Sequence, residues 1–320
     1  MSEVWREARG LKEVRFDYKP RIELHDYVGR GIFCRFHVFK WAIGCPASPG
    51  CSYCWLHYGP YMLRQGWNTI RVALKRDLAR VMSWFWRKGP KKSVLLNIGE
   101  VSDSFLGVRE YDWWLAFQAH KLNLMYGREH KLLFLTKMPS LASERFLKST
   151  GDLGDAVVCS VSLNVDEIVR RYERGTDNIR IRMEFLRRMS KEGVEVRARI
   201  DPVVMPWELE EAYQGLVDEL ASEVEELRAI TLGVLRASTT RLLGKLPGEL
   251  TQMFVRGGWG WTYPWSVRER IYRTVIERAE EYGIRVGLCK EPPKMWRAVG
   301  AKGPCNCLYF SGNSVSRGGV

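Results

Sequence analysis

Residues 45–55 read Cys45-Pro-Ala-Ser-Pro-Gly-Cys51-Ser-Tyr-Cys54-Trp55, a loop that holds three cysteines among prolines, a glycine and aromatic residues. A closed tetrahedral zinc site takes four ligands, so this loop would need a distant fourth partner. Cys34 is a candidate, but its place inside a predicted strand disfavours convergence on the loop. Soft thiolates also suit an iron–sulfur cube, and three of them leave one iron without a protein ligand. The loop therefore predicts a metal centre with one open coordination position.

The chain around this loop alternates between buried strands and helices about six times. Apolar runs predict strands at residues 32–44, 93–98, 131–137, 155–164, 194–204, 228–236 and 284–288. Helical spacing of apolar residues predicts helices at 68–86, 111–127, 208–224 and 265–282, with further helical segments up to residue 192. Such alternation with short connections is typical of parallel βαβ units, and it predicts an α/β barrel or an open partial barrel.

The ends of the predicted strands carry the polar residues of greatest chemical interest. In parallel sheets of this kind, active sites form at the C-terminal ends of the strands. The residues found at or just past those ends are Cys45, Cys51, Cys54, Gly99, Glu100, Ser102, Lys137, Ser162 and Asn164. They are the first candidates for a functional site.

The composition suggests a polyanionic partner. The 320 residues include 50 Lys and Arg against 37 Asp and Glu, a formal net charge of +13. A basic surface favours nucleic acid as the partner, although a chain rich in Arg and Glu is also typical of growth at high temperature. Eight cysteines without a secretion signal favour thiols and metal over disulfides. With no apolar run of membrane-spanning length, the sequence predicts a soluble, cytoplasmic protein with no membrane partner.

The three-cysteine loop resembles that of the radical S-adenosylmethionine superfamily, in which an aromatic residue precedes the last cysteine. Tyr53 and the second gap match the usual pattern, whereas the first gap is five residues here instead of three. The prolines and the glycine in that gap are turn formers that accommodate the two extra residues. The resemblance implies a [4Fe–4S] cluster on Cys45, Cys51 and Cys54, S-adenosylmethionine as the second cofactor, and a reductant such as ferredoxin or flavodoxin.

A series of short motifs is similar to the spore photoproduct lyase family and its wider relatives. In chain order they are Cys51-Ser-Tyr-Cys54-Trp-Leu56, Val101-Ser-Asp103, Thr136-Lys137, Ser162-Leu-Asn164 and Glu173-Arg-Gly-Thr176, followed by Arg182. The likeness covers residues 33–236. It implies a partial (β/α)6 barrel over residues 31–236, preceded by a basic N-terminal segment, 1–30, and followed by a C-terminal extension, 237–320.

The resemblance also implies which residues contact S-adenosylmethionine. Ser102, Lys137 and Ser162 fall where the family contacts this cofactor, and Gly99-Glu100 resembles the element that receives its methionyl amino group. A lysine and hydroxyl groups at strand ends can hydrogen-bond a carboxylate and a ribose.

Several of these residues have plainer explanations. Ser162 could cap the helix predicted near Val165, and Asn164 could be either a cap or a ligand. Lys137 could be a solvated loop charge, and Glu173 an acid on a helix surface.

Two positions depart from the lyase pattern. Glu100 stands where the lyases have the cysteine that returns a hydrogen atom to the product radical, and Trp55 stands where they have a tyrosine of the relay. A carboxyl group cannot donate that hydrogen, because the O–H bond of its protonated form is too strong. Tyr53 remains as a candidate catalytic residue. The sequence thus predicts a relative with the same radical generator and different downstream chemistry.

The C-terminal extension offers candidates for that difference. Cys289, Cys305 and Cys307 could ligate an auxiliary cluster or zinc as a second metal site, Cys305 or Cys307 could supply a thiol to a substrate radical, or all three could be buried packing. The Gly/Pro-rich loop around Cys305 and Cys307 is a poor place for core filler. Cys34 and Cys159 are expected to be core residues. The aromatic stretch 256–265 could stack bases, cover the barrel mouth or pack its open side.

Three hypotheses for function follow. The first is a radical S-adenosylmethionine enzyme that abstracts hydrogen from a nucleic acid base or sugar. The second keeps the enzyme with a small-molecule or protein substrate, and the third is a non-enzymatic zinc or iron–sulfur protein that binds nucleic acid. Retention on DNA or RNA that weakens with salt would distinguish the first from the second, and a test for S-adenosylmethionine cleavage would exclude the third.

Overall fold

The fold is built on one large open sheet. The computed structural model describes residues 5–6, 12–59, 62, 64, 66–205 and 207–310, so parts of both predicted terminal segments (1–4, 7–11 and 311–320) lie outside the described residues. We number the strands of the large sheet in chain order: β1 Arg21–Asp26, β2 Arg35–Lys40, β3 Leu95–Asn97, β4 Lys131–Thr136, β5 Val157–Ser162, β6 Glu195–Val203, β7 Leu227–Val234 and β8 Val286–Leu288.

The strands of this sheet lie side by side in the order in which they follow along the chain. β1 pairs antiparallel with β2, and every neighbouring pair from β2 to β8 is parallel. Because β1 and β8 form the two edges, the sheet is an open half-barrel. The predicted α/β partial barrel is confirmed. The division at residues 31 and 237 stays a prediction, and strands from all three expected segments enter this sheet.

Smaller sheets surround the half-barrel. One contains Trp5–Arg6, Glu13–Tyr18, Thr69–Ala73 and Ala42–Ile43, a second pairs Gly50–Cys51 with Glu173–Arg174, and a third contains Arg236–Ala237, Gly260–Thr262 and Val255–Gly257. The helix predicted from residue 68 is wrong at its start, since the chain first forms the strand Thr69–Ala73. Its β-branched residues favour that strand, and a parallel partner, Glu13–Tyr18, was not anticipated.

Helices follow most strands of the sheet. The described α-helices are Lys75–Lys88, Tyr111–Tyr126, Glu144–Ser149, Asp166–Tyr172, Ile179–Lys191, Glu210–Glu223, Thr240–Leu243, Gly248–Thr251, Trp265–Glu281 and Pro293–Ala298, with 3-10 turns at Val28–Arg30, Pro139–Leu141 and Gly154–Ala156. Within the described ranges, no helix combines the length and the apolar character needed to cross a bilayer.

The central strands are buried on both faces. In β5, Val157 and Cys159 pack toward the main core with the helices, while Val158 belongs to a second apolar cluster that also contains Cys305 and Cys307. A strand covered on both faces has a nearly continuous apolar sequence, which explains why β4 and β5 were predictable. The second cluster fills the inner side of the half-barrel.

The inner side is filled by the chain's own residues 303–310, which we call the inner segment. Asn306 N donates to Thr231 Oγ1 of β7 at 2.7 Å, and Arg197 of β6 donates through Nη1 to the carbonyl oxygens of Asn306 and Leu308, at 2.6 and 2.8 Å. At Gly287 of β8, a Cβ would lie only 2.4 Å from the Pro304 carbonyl oxygen. The glycine therefore allows the inner segment to approach the sheet.

Candidate functional site

The three-cysteine loop lies at the C-terminal edge of the half-barrel. It leaves β2 through Gly44, whose N–H donates to the Val101 carbonyl at 3.1 Å, beyond the end of β3. Further along, Cys51 pairs with Glu173, and Ser52 N donates to the Tyr172 carbonyl at 2.8 Å. The loop is thus fastened on one side to the segment after β3 and on the other to the segment after β5.

The three thiols lie close enough to affect one another's ionisation. Burial, and then the charges of Asp103 and Cys54, raise the pKa of Cys45 to about 12. Burial also raises the pKa values of Cys51 and Cys54, with the Lys137 ammonium opposing it in both cases. A thiolate here would therefore need further positive charge.

Lysine and backbone groups surround the loop. Lys12 Nζ donates to the carbonyl oxygens of Cys45 and Ala47, at 2.7 and 2.6 Å, and lies 4.1 Å from the centroid of the Trp67 ring. Among the described residues, no three His, Cys, Asp or Glu side chains are already spaced to hold a metal ion. The donor set itself fits a thiophilic group, because three soft ligands share one loop between Lys12 and Lys137.

A buried ionic network lies beside the loop and centres on Glu173. Tyr53 Oη and Lys137 Nζ both donate to Glu173 Oε1. Burial alone would raise the pKa of Glu173, but the charges of Lys137 and Arg182 and the hydrogen bonds from Lys137 and Tyr53 lower it to about 2. Glu173 is therefore an ionised interior residue, and its interpretation as a helix-surface acid is wrong.

Arg182 contacts the second carboxylate oxygen of Glu173. Its Nη1 donates to the Ser162 carbonyl oxygen at 2.8 Å and also makes an ionic contact of 2.7 Å with Glu173 Oε2, which has no aligned hydrogen-bond donor. Nη2 donates to Thr176 Oγ1 at 2.7 Å, and Nε donates to the Asp177 carbonyl at 2.9 Å. One buried guanidinium thus connects the end of β5 with the turn that follows Glu173.

Lys137 and the Ser–Asp pair meet at the ends of β3 and β4. Asp103 accepts hydrogen bonds from Thr136 Oγ1 at 2.6 Å and from the Lys137 backbone N–H at 2.9 Å. Burial raises the pKa of Asp103 to about 6 despite these donors. Ser102 is buried, with its hydroxyl 3.5 Å from the Ile98 carbonyl. Lys137 is largely buried and bound to Glu173, so it is not a solvated loop charge.

Gly99 and Glu100 form the turn that leaves β3. Gly99 N donates to Asn97 Oδ1 at 2.9 Å, and Asn97 Nδ2 donates to Glu100 Oε2 at 3.3 Å. A Cβ on Gly99 would lie 2.6 Å from the Leu135 carbonyl oxygen, so the turn requires glycine. Glu100 lies within electrostatic range of Arg199 and Lys290, a proximity that no local pattern in the sequence predicts.

Ser162 and Asn164 lie at the end of β5. Ser162 Oγ is 3.5 Å from the Asp201 carbonyl oxygen, and its own carbonyl accepts from Arg182. Asn164 donates to the Pro202 carbonyl at 2.8 Å and accepts from Tyr213 Oη at 2.7 Å. Neither side chain caps the helix Asp166–Tyr172. Asn164 thus connects β5 with the end of β6, and its contact with a cofactor stays a prediction.

The C-terminal cysteines lie on the inner side of the half-barrel. The Cys305 and Cys307 thiols hydrogen-bond to each other, which lowers the pKa of Cys305 and raises that of Cys307. Cys289 follows β8 within electrostatic range of Cys305. Cys34, expected to be plain core, has Cys289 and Cys305 as neighbours. The sequence could not show this, because Cys34 is separated from them by more than 250 residues.

In the aromatic stretch 256–265, Trp259 packs against the turn between β1 and β2. The Trp259 ring lies 5.0 Å from the ring of Tyr27 in an edge-on contact, and the Arg30 guanidinium lies 5.5 Å from Trp259. A separate pocket of about 260 Å³, lined by Trp41, Tyr111 and others, contains none of the predicted site residues.

Gly175 allows the cysteine loop to approach the Glu173 turn, and this gives a testable prediction. Its φ is +74°, and a Cβ would lie 2.2 Å from the Ser48 carbonyl oxygen. Gly193 has the same φ with nothing within 4 Å of its Cβ position, so it is a matched control. We expect Gly193→Ala to lower the free energy of unfolding by about 1–2 kcal/mol. Gly175→Ala should lower it by a further ~1–3 kcal/mol, because backbone atoms must move. If urea unfolding showed the same loss of free energy of unfolding in both variants, the close approach of the cysteine loop to Gly175 would be contradicted.

Comparison with known proteins supports the fold. No protein-family model matches the sequence, and no curated protein sequence matches it. The structure of spore photoproduct lyase complexed with dinucleoside spore photoproduct is similar, with a TM-score of 0.63, 17% identity, and coverage of 79% of this chain and 76% of that one. A spore photoproduct lyase mutant with bound AdoMet and the same dinucleoside gives a TM-score of 0.62 at 17% identity, over 79% and 75% of the two chains.

A second enzyme shares the architecture more distantly. Streptococcus suis SuiB bound to S-adenosylmethionine gives a TM-score of 0.50 at 13% identity, with coverage of 82% of this chain and 53% of that one. This chain spans about half the length of SuiB. Together with the half-barrel topology, these likenesses show that the chain has a partial barrel resembling that of radical S-adenosylmethionine enzymes.

Proposed function

We propose that this chain is a radical S-adenosylmethionine enzyme that abstracts a hydrogen atom from a nucleic acid base or sugar. The observation that carries the proposal is the place of the three-cysteine loop. It is fastened at the C-terminal edge of the half-barrel between the segments after β3 and β5. Active sites of parallel α/β sheets form at this edge.

Cys45, Cys51 and Cys54 would hold the [4Fe–4S] cluster. When bound, such a cluster supplies the electron that cleaves S-adenosylmethionine to methionine and a 5′-deoxyadenosyl radical. Lys12 and Lys137 would offset the negative charge of the thiolates. A ferredoxin or flavodoxin would serve as the reductant.

The residues at the strand ends would hold S-adenosylmethionine. Ser102 and Ser162 carry hydroxyls with only long contacts of 3.5 Å, so both can turn toward a ligand. Glu100 would receive the amino group, and Asn97 orients the turn that carries it. The Lys137 ammonium is shared with Glu173 and Tyr53, so we assign it mainly to the charge balance of the loop.

Tyr53 would connect the loop with the ionic network. Its hydroxyl donates to the ionised Glu173, and burial, with the Glu173 charge, raises its pKa well above the usual value. A buried phenol held in this way remains protonated. Its place one residue before Cys54 keeps it as a catalytic candidate for hydrogen relay.

A nucleic acid substrate is supported by the net charge of +13 and by the likeness to an enzyme crystallised with a dinucleoside. We expect salt-sensitive retention on single-stranded DNA or RNA at low ionic strength. Absence of retention on either polymer would redirect the proposal to a small-molecule or protein substrate.

The test of the enzymatic proposal is an anaerobic assay. The protein is reconstituted with iron and sulfide and incubated with S-adenosylmethionine and dithionite. We expect 5′-deoxyadenosine and methionine in equal amounts. Full zinc occupancy after anaerobic purification, with no iron taken up on reconstitution, would refute the proposal and favour a non-enzymatic protein.

Glu100→Gln tests the assignment of the amino-group ligand. Loss of one charged hydrogen bond costs about 1.5–3 kcal/mol, so the dissociation constant of S-adenosylmethionine should rise about ten- to a hundredfold, with iron content unchanged. Glu110→Gln, at an exposed ion pair with Arg145, is the control and should leave the constant as it is. If the dissociation constant of S-adenosylmethionine were unchanged in Glu100→Gln, Glu100 would not be the ligand of the amino group, and we would assign it to the substrate instead.

A further inference from the structure

Four of the eight cysteines come together inside the half-barrel, away from the three-cysteine loop. Cys34 ends the turn before β2, Cys289 follows β8, and Cys305 and Cys307 lie on the inner segment. Cys34, Cys305 and Cys307 belong to one cluster of buried side chains, and Cys289 lies within electrostatic range of Cys34 and Cys305. All four are free and buried. Three separate parts of the chain thus bring four thiols together.

Hydrogen-bond donors surround these sulfurs. Arg199 Nη2 donates to Cys289 Sγ at 3.3 Å, and Asn97 Nδ2 donates to Cys307 Sγ at 3.6 Å. N–H groups directed at sulfur stabilise thiolates and are typical of the surroundings of thiolate-bound metals. Simple apolar packing of a cysteine would not need them.

The surroundings also carry excess positive charge. Arg199 and Arg236 share one carboxylate, Asp201, with contacts of 2.5 and 3.0 Å. Lys290 lies near Glu100 and Cys289. Buried charge of one sign is costly unless it is balanced, and thiolates at these positions would balance it. Glu100 is a second carboxylate near Arg199 and Lys290, so three cations face two carboxylates, and the one positive charge in excess favours an anionic site.

The four cysteines also lie where the turn between β1 and β2 meets the segment after β8. The turn that ends at Cys34 contacts the segment after β8, with Phe33 N donating to the Glu291 carbonyl at 3.2 Å and the Phe33 ring 5.6 Å from that of Trp296. A metal held here would fasten both edges and the inner segment together.

We propose that Cys34, Cys289, Cys305 and Cys307 form a closed four-thiolate metal centre at this junction, for Zn²⁺ or an iron–sulfur cluster. Both groups accept four thiolates. Each thiol would release its proton on binding, and the net negative charge would face Arg199, Arg236 and Lys290. Among the described residues no three such side chains are already spaced to hold a metal ion, so binding requires the thiols to rotate about χ1.

The rival role is that Cys305 or Cys307 supplies a hydrogen atom to a substrate radical. A donor requires a single thiol beside the substrate, whereas the metal centre requires all four. Only the metal centre gives a role to Cys34. Substitution of Cys34 therefore separates the two.

The test uses the full chain with Cys45, Cys51 and Cys54 all replaced by alanine, so that the proposed catalytic cluster is absent. After anaerobic purification and reconstitution, we expect about one zinc or about four iron atoms per chain. Adding Cys34→Ala or Cys289→Ala should reduce this at least tenfold. Adding Cys159→Ala instead should change nothing, because that buried thiol has no sulfur neighbour among its described interactions.

Two results would overturn the proposal: no zinc or iron in the triple variant after reconstitution, or an unchanged metal content with Cys34→Ala. If the added variants do not fold, Co²⁺ binding to the triple variant still tests whether the four cysteines form a metal centre. Strong thiolate-to-cobalt charge-transfer absorption supports the centre, and its absence together with no iron bound after reconstitution refutes it. The proposal does not rest on the enzymatic activity, because these measurements omit the three-cysteine loop.

Discussion

Alanine at any one of Cys45, Cys51 and Cys54 should reduce the cleavage of S-adenosylmethionine to background. The proposed cluster has only three protein ligands, so the loss of one leaves two thiolates, and no other described cysteine borders the loop. Iron content should fall in parallel. The measurement is 5′-deoxyadenosine formed with dithionite under anaerobic conditions, together with iron per chain.

Cys159→Ala is the matched control for these three variants. It removes a buried thiol of β5 from the main core and should leave both iron uptake and cleavage in place. A loop variant that keeps normal iron content and normal cleavage would show that the cluster lies elsewhere in the chain.

Glu173→Gln should destabilise the protein by about 3–5 kcal/mol. The change keeps the shape of the side chain but leaves the Lys137 and Arg182 charges without their buried carboxylate. Breaking a buried ion pair by removing one partner carries a cost of this size. Urea unfolding of the wild type and the variant would measure it.

Glu184→Gln is the control for this variant. Glu184 pairs with Arg187 on the surface of the same helix that carries Arg182, and such exposed pairs contribute about 0–1 kcal/mol. If Glu173→Gln cost no more than Glu184→Gln, the charges around Glu173 would have to be balanced by other groups.

The architecture was predictable because the alternation of apolar runs and helical segments depends only on residues that are neighbours in the sequence. Each parallel strand is covered on both faces, so β4, β5 and β7 appear in the sequence as short apolar runs between helical segments. The turn formers around the cysteines likewise placed that loop after a strand. Both features depend on neighbouring residues alone.

The surroundings of the loop were not predictable because they depend on pairs distant in the chain. Glu173 ends a helix whose preceding residues, Arg170 and Arg171, make exposed pairs, so it resembled a surface acid. Its burial comes from Tyr53, Lys137 and Arg182, which only the folded barrel brings together. Gly175, two residues after Glu173, has a positive φ and allows the cysteine loop to approach closely. A glycine at this place was the one local indication of that contact.

The inner segment has a consequence for the order in which the protein forms during synthesis. The carbonyl acceptors for Arg197 of β6, a fully buried guanidinium, belong to Asn306 and Leu308, which follow it by 109 and 111 positions. Chains emerge from the ribosome from the N-terminus, so β6 and β7 exist well before these acceptors do. Until residues 306 and 308 have been synthesised, Glu195 is the described ionic partner that Arg197 retains. The interior of the half-barrel therefore cannot be completed before the inner segment has been made.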